Sequence, residues 1–349
     1  ARRRALKQGG CRMKDAHGRT IDYLRISLTD RCNLRCVYCM PADGIVQVSH
    51  DDVLRYDEIV RLVRVAARMG VRRVRLTGGE PLVRKGVVDL VRAVSQVPGI
   101  EDVSLTTNGI ALARMAPALR EAGLHRVNVS LDTLDADDYR AITRGGDVCK
   151  VLEGIDAALA VGFNPVKVNA VAVRSLHQDY FRFARLSVDK PLHVRFIEYM
   201  PIGDSAGCGG AGWGPEDVIP CDEIRQIIND RCAAEGLEPL VPVDDSRKPT
   251  GGGPARYYQF PGALGTVGFI SPLSRHFCGD CNRLRITSTG GLRPCLFSDN
   301  ELDLRNVLRN GSDEDVRTVL SRALHTKPEE HEETVHANET VTNMNAIGG

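Results

Sequence analysis

The arrangement of hydrophobic and polar residues predicts strands and helices that alternate along most of the chain. Short apolar runs rich in β-branched residues alternate with longer segments in which apolar residues recur three and four positions apart, as on one face of a helix. Strands that alternate with helices form parallel sheets. The predicted strands are residues 23–28, 73–77, 103–107, 126–131, 166–173 and 193–199.

The segments between these strands show apolar stripes that would pack on the sheet. The clearest stripes are Ile59, Leu62, Val63 and Ala66, then Val87, Leu90, Val91 and Val94, and then Leu152, Ile155 and Leu159. Gly70 suits the end of the first of these helices. Because proline suits a first helical turn and not a helix interior, we expect the helix after the third strand to begin near Pro117. A further helix is predicted at 221–232.

The six strand and helix units are too few to close an eight-stranded barrel. We therefore expect an α/β fold, an incomplete (β/α)6 partial TIM barrel whose open side is covered by a C-terminal extension. Residues 202–215 are rich in glycine and predict a flexible insert or loop, and residues 239–254 predict a linker rich in proline and glycine. Residues 326–342 combine acids and histidines with few apolar residues and predict a mobile segment.

Composition and charge narrow the expected ligands and location. The chain has 46 lysine and arginine residues against 45 aspartate and glutamate residues, so we expect no general affinity for nucleic acid. No apolar run reaches the length of a membrane span, and no signal peptide is evident. We expect a cytoplasmic protein, or a mitochondrial matrix protein if the arginine-rich residues 1–12 are the remnant of a transit peptide rather than a disordered basic arm.

The eleven cysteines include two groups of three at metal-ligand spacings, which favours a reducing compartment and cofactors over disulfides. The first group is Cys32, Cys36 and Cys39. It has CxxxCxxC spacing in the loop after the first strand, with Tyr38 directly before the last cysteine. Three thiolates can hold three irons of a [4Fe-4S] cluster and leave the fourth iron without a protein ligand. Zinc is the alternative, but structural zinc takes four ligands and no fourth cysteine or histidine follows closely.

The second group of cysteines leaves the type of metal site open. Its members are Cys278, Cys281 and Cys295. The spacing fits an iron-sulfur cluster and also fits zinc with His276 as a fourth ligand. Arg283 and Arg285 follow the CxxC pair directly. Two guanidinium groups beside a metal indicate an anionic ligand that is bound through forked hydrogen bonds.

The first cysteine group resembles the signature of the radical S-adenosylmethionine (SAM) superfamily. The sequence Gly78-Gly79-Glu80-Pro81 follows one strand and helix unit later and resembles the GGEP motif of that superfamily, in which paired glycines let a ligand approach the backbone. The resemblance implies that the open iron chelates the methionine portion of SAM and that an electron from the cluster cleaves SAM to a 5'-deoxyadenosyl radical. It also implies that Gly79 binds the amino group of SAM.

Both cysteine groups together resemble one branch of the superfamily, the GTP 3',8-cyclases of molybdenum cofactor biosynthesis. The likeness extends over residues 18–349 and includes Tyr-Leu-Arg-Ile-Ser at 23–27, Asn-Val-Ser-Leu-Asp at 128–132, Val-Lys-Val-Asn at 166–169 and the terminal Gly348 and Gly349. We expect four segments: a disordered basic extension at 1–17, the radical SAM partial barrel at 18–235, an auxiliary-cluster region that closes the barrel at 236–325, and a mobile tail at 326–349.

The resemblance implies two [4Fe-4S] clusters held by the two cysteine groups, one SAM, and one GTP whose guanine binds the open iron of the second cluster. The implied SAM-binding residues are Tyr38, Gly79, Ser130 and Met200. The implied GTP-binding residues are Arg25, Arg75, Thr106, Lys167, Arg283, Leu284 and Arg285. Arg25 is also implied in a later proton or electron transfer to the ring, and Gly348 and Gly349 in an active-site role of the tail.

In the implied reaction, the 5'-deoxyadenosyl radical removes the ribose 3' hydrogen of GTP, and the carbon radical attacks C8 of guanine to give a 3',8-cyclic nucleotide. The implied partners are an external electron donor and a downstream cyclic pyranopterin monophosphate synthase. A homodimer is possible, and no membrane partner is expected.

Two alternatives are a radical SAM enzyme that modifies a peptide and a non-enzymatic zinc scaffold. The insert around Cys208 and the basic extension before Met13 depart from the family pattern. Neither contains a residue that was matched to the family.

Overall fold

Strands and helices alternate through most of the part of the chain that the structure describes. The structure is a computed structural model that describes residues 13–45, 48–200, 213–251, 253–298 and 300–331. The basic residues 1–12, the segment 201–212 with Cys208, and the tail with Gly348 and Gly349 lie outside the described residues.

All six predicted strands are present, and their ends differ from the predicted ends by one residue at most. They are β1 (Tyr23–Ser27), β2 (Arg73–Thr77), β3 (Asp102–Thr107), β4 (Arg126–Ser130), β5 (Val166–Ala172) and β6 (Leu192–Glu198). The helices of this region are α1 (Tyr56–Met69), α2 (Val87–Ser95), α3 (Leu112–Glu121), α4 (Ala136–Thr143), α5 (Val148–Ala160), α6 (Tyr180–Asp189) and α7 (Cys221–Ala234). None of the helices in the described ranges is long and apolar enough to cross a membrane.

The C-terminal part of the described chain adds short strands and two helices. The strands are β7 (Val241–Pro242), β8 (Arg256–Gln259), β9 (Thr266–Ile270), β10 (Arg283–Ile286), β11 (Gly291–Arg293) and β12 (Leu302–Asp303). The helices are α8 (Arg305–Asn310) and α9 (Asp313–His325), and α9 packs on α1.

All of these strands belong to one sheet, in the order β12-β11-β10-β1-β2-β3-β4-β5-β6-β9-β8-β7. Strands β1 to β6 are parallel and lie side by side in chain order. The two C-terminal strands β9 and β10 extend this run at opposite ends: β9 pairs in parallel with β6, and β10 pairs in parallel with β1. The twelve residues 271–282 between them therefore cross from one end of the parallel run to the other.

Helices cover the sheet with the apolar stripes that the sequence predicts. All five residues of β1 are buried, as expected of a parallel strand with both faces covered. The side chains of Ile59 and Leu62 in α1 are fully buried. Gly70 ends this helix with a φ of 112°, in the left-handed region that glycine adopts without a steric penalty.

The predicted start of the third helix at Pro117 is wrong. Helix α3 begins five residues earlier, at Leu112, and Pro117 lies inside it. An internal proline removes one backbone hydrogen bond of the helix. Leu112, Ala116 and Leu119 on one face are fully buried, and we attribute the longer helix to this tertiary burial, which local propensity does not capture.

The first residues of the predicted mobile segment are packed against the rest of the chain in the structure. Residues 326–331 lie against the domain, and the side chain of Lys327 is only 3% exposed. Its ammonium group donates hydrogen bonds to the backbone carbonyl oxygens of Arg283 and Pro294. Residues 332–349 lie outside the described part of the chain.

Candidate active site

Both cysteine groups line one cavity, together with residues from the segments that follow the parallel strands. The first group lies after β1, and the second lies on the crossover after β9 and directly after β11. The same cavity is lined by Ile270 at the end of β9 and by Arg285 of β10, which lie at opposite ends of the parallel run. The sheet therefore curves around the cavity, and the crossover brings the second cysteine group to it.

The first cysteine group forms a compact loop. The amide of Cys39 donates to the carbonyl oxygen of Cys36 at 2.9 Å, and the amide of Leu34 lies 3.4 Å from Cys32 Sγ. Burial, followed by the charge of the neighbouring Cys39, raises the pKa of the Cys36 thiol well above its ordinary value. Thiolates gathered in this way repel one another, and a bound cation removes that cost.

The aromatic residue before the last cysteine is fixed on both sides. The hydroxyl of Tyr38 donates to Asp132 Oδ2 at 2.6 Å, and Asp132 Oδ1 accepts a hydrogen bond from the Val171 amide at 2.9 Å. The ring of Tyr38 stacks on Trp213, with 6.1 Å between the ring centroids. Burial raises the pKa of both Tyr38 and Asp132. The contact ties the cysteine loop to the carboxyl end of β4.

Gly78 and Gly79 bring the end of β2 against the backbone of the cysteine loop. A Cβ atom at Gly79 would lie 2.4 Å from the carbonyl oxygen of Arg31, and one at Gly78 would lie 2.6 Å from that of Thr29. The Gly79 amide donates to the Thr29 carbonyl at 2.7 Å. The two glycines are thus needed for the packing of the cysteine loop as well as for the approach of a ligand, since Gly79 also lines the cavity.

Glu80 is a buried acid of the GGEP stretch for which the sequence indicated no role of its own. Its carboxylate accepts hydrogen bonds from the Leu82 amide at 2.9 Å, the Thr107 hydroxyl at 2.8 Å and the Asn108 amide at 2.6 Å. Burial raises its pKa to about 7 despite these donors. Glu80 joins the ends of β2 and β3, and Asn108 in turn points its side-chain amide toward Cys32 Sγ at 3.8 Å.

The second cysteine group lies in a turn that is covered by aromatic rings. The Cys281 amide donates to the carbonyl oxygen of Cys278 at 3.1 Å, and His331 Nδ1 lies 3.1 Å from Cys278 Sγ. The His331 ring stacks on Phe297 with 4.5 Å between centroids. His276, the fourth ligand in the zinc alternative, packs edge-on against His331. Among the described residues, no group of three or more histidine, cysteine, aspartate or glutamate side chains is arranged to hold a metal ion.

A row of arginines crosses the floor of the cavity. Strand pairing places Arg25 of β1 between Arg285 of β10 and Arg75 of β2. All three side chains line the cavity and are at most 8% exposed. Burial, with the charges of Arg285 and Arg75, lowers the pKa of Arg25, and burial lowers the pKa of Arg75 and of Arg285 to about 10 each. Like charges side by side in a low-dielectric setting favour the binding of a multivalent anion.

Arg195 of β6 is a further cationic residue of the cavity that the sequence analysis missed. It is 4% exposed, and its guanidinium group donates to Asn169 Oδ1 and to Asn128 Oδ1, both at 2.8 Å. A charged residue between the apolar residues Val194 and Phe196 of a buried strand was the available signal. Arg195 extends the positive surface of the floor from β10 to β6.

The structure brings most of the predicted site residues together. Those that line the cavity are Arg25, Cys32, Cys36, Tyr38, Cys39, Arg75, Gly79, Thr106, Ser130, Met200, Cys278, Cys281, Arg283, Arg285 and Cys295. Of the predicted residues that the structure describes, Lys167 and Leu284 do not line it. The Leu284 side chain is fully buried in the core, so only its backbone could face a ligand. The Lys167 ammonium group donates to the carbonyl oxygen of Thr250 at 2.8 Å.

The environment of Lys167 disfavours the protonated form of its side chain. Its side chain is 1% exposed, and burial, together with the charge of Arg195, lowers its pKa to about 5. The loop that accepts its hydrogen bond reaches the cavity at Gly253 and Pro254. Lys167 therefore bonds to the loop beside the cavity, and its burial favours the neutral form.

The two cysteine groups suit the iron-sulfur clusters that the resemblance implies, because each thiol would bind a different iron. A single metal ion would instead need ligands that converge on one point, and the described residues show no such set. Each group offers three thiols on one wall of the same cavity, which is the donor set of a cluster with one open iron. Arginines lie beside the second group, where Arg283 and Arg285 line the cavity with Cys281. Gly79 packs on the loop of the first group, and Gly79, Ser130 and Met200 line the same cavity.

Two family models match consecutive parts of this chain, and the boundary between them falls near the end of α6. The model of the Radical SAM superfamily matches residues 26–184, and the model named Molybdenum Cofactor Synthesis C matches residues 192–333. The first match contains the first cysteine group, and the second contains β9, the crossover and the second cysteine group.

Solved structures of similar fold are distant in sequence. Streptococcus suis SuiB bound to S-adenosylmethionine matches with a TM-score of 0.58 at 15% identity, over 84% of this chain and 66% of that chain. Native anSMEcpe with bound AdoMet matches with a TM-score of 0.54 at 15% identity, over 84% of this chain and 81% of that chain. This likeness shows a shared fold and no more.

Relatives with assigned names are much closer in sequence. The GTP 3',8-cyclases of Pelotomaculum thermopropionicum and Moorella thermoacetica are each 51% identical to this chain, over 91% of it and 95% of their own length. The GTP 3',8-cyclase of Alkaliphilus oremlandii is 47% identical over 97% of this chain and 100% of its own length. Identity of this extent over nearly the whole chain, on a fold of radical SAM type, means that the protein belongs to the GTP 3',8-cyclase family of the radical SAM superfamily.

Proposed function

We propose that this protein converts GTP to (8S)-3',8-cyclo-7,8-dihydroguanosine 5'-triphosphate, the first step of molybdenum cofactor biosynthesis. The observation that carries the proposal is a single cavity that is lined by both cysteine groups and by a row of buried arginines. The names of the close relatives agree with it. A nucleoside triphosphate supplies the multivalent anion that the arginines require.

We propose that the sheet is an open (β/α)6 partial barrel that the C-terminal region closes with a second cluster. Support comes from β9 and β10, which continue the parallel run at both ends, and from the crossover 271–282, which passes over the cavity side. The proposed segments are 18–235 for the barrel and 236–325 for the auxiliary-cluster region. The continuous sheet indicates that these two segments fold as one unit.

The first site would hold a [4Fe-4S] cluster on Cys32, Cys36 and Cys39, with SAM beside it. When bound, this pair supplies an electron and a 5'-deoxyadenosyl radical, which abstracts the ribose 3' hydrogen of GTP. The residues of the chain orient the cofactor: the proposed contacts are Tyr38, Gly79, Ser130 and Met200. Tyr38 is well suited to this role, because its side chain is already fixed by Asp132 and by the ring of Trp213.

The second site would hold a [4Fe-4S] cluster on the second cysteine group, with GTP bound between the clusters. Arg25, Arg75 and Arg285 would bind the triphosphate as a row, which fixes the ribose relative to the first site. The other proposed contacts are Thr106, Lys167, Arg283 and the backbone of Leu284. Arg195 belongs with these residues because it lines the same floor. A buried floor of this kind also keeps water away from the substrate.

Arg25 is the proposed catalytic residue for the later proton or electron transfer to the guanine ring. It lies in the middle of the arginine row and lines the cavity, so its guanidinium group can donate hydrogen bonds to the reacting nucleotide. Gly348 and Gly349 are proposed to act in the same step and lie outside the described residues.

The proposed partners are an external electron donor and a downstream cyclic pyranopterin monophosphate synthase. Cys32 and Asn33 also line a second pocket on the other side of the cysteine loop, which offers an electron donor a short approach to a cluster there. The cytoplasm, where thiols stay reduced, is the proposed compartment, in agreement with the free cysteines of the described chain.

The test is an anaerobic assay of the reconstituted full chain with SAM, a reductant, and GTP, ATP or no nucleotide. We expect 5'-deoxyadenosine and the cyclic nucleotide in equal amounts with GTP, and about eight irons per chain without stoichiometric zinc, as two [4Fe-4S] clusters require. The matched variant Cys281→Ser should keep the first cluster and lose the product. Failure of GTP to stimulate 5'-deoxyadenosine formation, or two zinc ions in place of iron, would refute the proposal.

A further inference from the structure

The second cysteine group is fastened by a short C-terminal segment, residues 327–331, which we name the C-terminal strap. The strap follows α9 and lines the cavity through Lys327 and His331. Cys278 contacts the strap directly, and Cys281 and Cys295 lie within two residues of a residue that does. None of the sequence features singled out above had indicated a role for this segment.

Lys327 joins the two parts of the chain that carry Cys281 and Cys295. Its ammonium group donates to the carbonyl oxygen of Arg283 at 3.1 Å and to the carbonyl oxygen of Pro294 at 2.6 Å. Arg283 lies two residues after Cys281, and Pro294 directly precedes Cys295. The buried side chain of Lys327 therefore sets the distance between Cys281 and Cys295, which lie in different segments of the chain.

The positive charge of Lys327 lies beside the cysteine group. Lys327, Cys281 and Cys295 line the same cavity, and the two carbonyl groups that accept the hydrogen bonds of Lys327 lie two residues from Cys281 and next to Cys295. An ammonium group has three donors and no acceptor. Two of the three donors of Lys327 are thus directed to the backbone that carries the cysteine group.

Arg19 holds the strap from the other side. Its guanidinium group donates to the carbonyl oxygens of Cys278 at 2.8 Å, Pro328 at 2.6 Å and Glu329 at 2.7 Å. With His331 Nδ1 at 3.1 Å from Cys278 Sγ, these contacts tie the strap to Cys278, whereas Lys327 ties it to the other two cysteines. The strap is thus bound to the whole group at both ends.

The charge of Lys327 is as important as its geometry. Three thiolates give a [4Fe-4S] cluster with an open iron a net negative charge in both oxidation states, and that charge grows on reduction. A cation held beside such a cluster stabilises the more negative, reduced state. Hydrogen bonds to the sulfurs and local charge are the main means by which a protein sets the potential of such a cluster.

We propose that Lys327 is a positioning residue of the second cysteine group: it sets the spacing of Cys281 and Cys295 and raises the reduction potential of the cluster they hold. This inference rests on the proposed function, since it requires a second cluster. Lysine suits the role better than arginine, because a compact ammonium group can reach two carbonyl oxygens from two segments at one point.

The test isolates the second cluster. A parent variant with Cys32, Cys36 and Cys39 replaced by alanine is reconstituted anaerobically, and its midpoint potential is measured by redox titration followed by electron paramagnetic resonance. In this background, Lys327→Met is expected to shift the midpoint potential to a more negative value and to lower the iron content. Lys327→Arg, which keeps the charge, should recover part of the shift.

Lys190→Met serves as the matched control, because Lys190 is an exposed lysine that pairs with Asp156 on the outside of the barrel region. It should leave both the potential and the iron content unchanged. An unchanged potential in Lys327→Met at equal iron content would overturn the inference. If Lys327→Met retains no iron while its circular dichroism spectrum matches the parent and Lys327→Arg retains iron, the inference is supported.

The same experiment gives a different result if the proposed function is wrong. A parent that binds zinc in place of an iron-sulfur cluster would overturn the two-cluster proposal. The zinc content of Lys327→Met compared with that of the parent would then test the positioning role alone: equal zinc in both proteins would overturn it, and a severalfold loss of zinc would support it.

Discussion

Arg25 and Arg285 are direct cross-strand partners, although they lie near opposite ends of the chain. The parallel register of β1 and β10 places them opposite each other, and Arg75 takes the same position on the other side of Arg25. Like charges opposite each other on neighbouring strands are destabilising. The three adjacent arginines therefore repel one another in the ligand-free protein, and a bound anion offsets this repulsion.

The first prediction concerns the arginines beside the second cysteine group. Replacing Arg283 and Arg285 together by alanine should weaken GTP binding about 100-fold or more, because each lost charge-assisted hydrogen bond contributes about 1.5–3 kcal/mol. Cleavage of SAM in the absence of GTP should be unchanged. Calorimetric titration and a 5'-deoxyadenosine assay give the two readouts. Arg305→Ala is the control, since Arg305 pairs with Asp52 away from the cavity, and an unchanged GTP affinity in the double variant would contradict the assignment.

The second prediction is that Arg25→Met stabilises the protein without ligand. It removes a buried charge that lies between two like charges, so both the repulsion and the desolvation of this charge are relieved. The midpoint of thermal unfolding should rise, while GTP should no longer raise it further. Arg64→Met in the exposed face of α1 is the control. A lower midpoint for Arg25→Met would show that the row stabilises the fold by itself.

The third prediction follows from the low pKa of Lys167. With a pKa of about 5, this lysine is neutral at pH 7 in the ligand-free protein. If it contacts the triphosphate, the anion raises the pKa and the side chain takes up a proton. Titration calorimetry of GTP binding in buffers with different ionisation enthalpies should show proton uptake at pH 7. The uptake should vanish in Lys167→Met and persist in Lys190→Met; uptake that survives in Lys167→Met would assign it to another group.

The fourth prediction concerns pH and Glu80. Its pKa rises from 4.5 to about 7 on folding, so its stabilising contribution is fully present below pH 4.5 and is lost as the pH rises through 7. The corresponding free energy of unfolding is at most roughly 3 kcal/mol. Urea unfolding of the apoprotein at pH 5 and pH 8 should show a smaller difference for Glu80→Gln than for the unaltered protein. Identical pH dependence in both proteins would exclude a titrating Glu80.

The fifth prediction separates the two cysteine groups. A Cβ atom at Gly79 would lie 2.4 Å from a backbone oxygen of the cysteine loop, whereas one at Gly279, inside the second group, would meet no atom within 4 Å. Gly79→Ala should therefore lose the first cluster and keep the second, with about half of the iron. Gly279→Ala should keep both. Iron analysis and electron paramagnetic resonance distinguish the clusters, and full iron content in Gly79→Ala would show that the loop can move aside.

Much of the barrel region could be predicted from the sequence, because its determinants are local. Apolar stripes and β-branched runs located the six strands, and the spacing of three cysteines located the first site. Pro117 shows the limit of local reasoning: its backbone preference suggested a helix start, but the burial of Leu112 and Leu119 on the same face outweighs that preference.

The second half of the site could not be predicted in the same way, because it depends on contacts between distant segments. Strand pairing between β1 and β10 aligns the arginine row, and no local pattern contains that register. Lys327 lay in a stretch whose composition indicated mobility, and its burial arises from two backbone carbonyl groups that only the folded chain presents. Arg195 was hidden for a similar reason, since two asparagine side chains from other strands accept its hydrogen bonds.

The positions of β9 and β10 have a consequence for the order in which the protein is made. Until these strands emerge from the ribosome, β1 and β6 each present an unpaired edge, and such edges readily pair with other chains. A nascent chain can complete the loop of the first cysteine group early, but the cavity gains its last wall only when residues 266–331 have been synthesised. The part of the enzyme that would generate a radical is thus built before the part that would confine it, and premature termination would leave an aggregation-prone fragment.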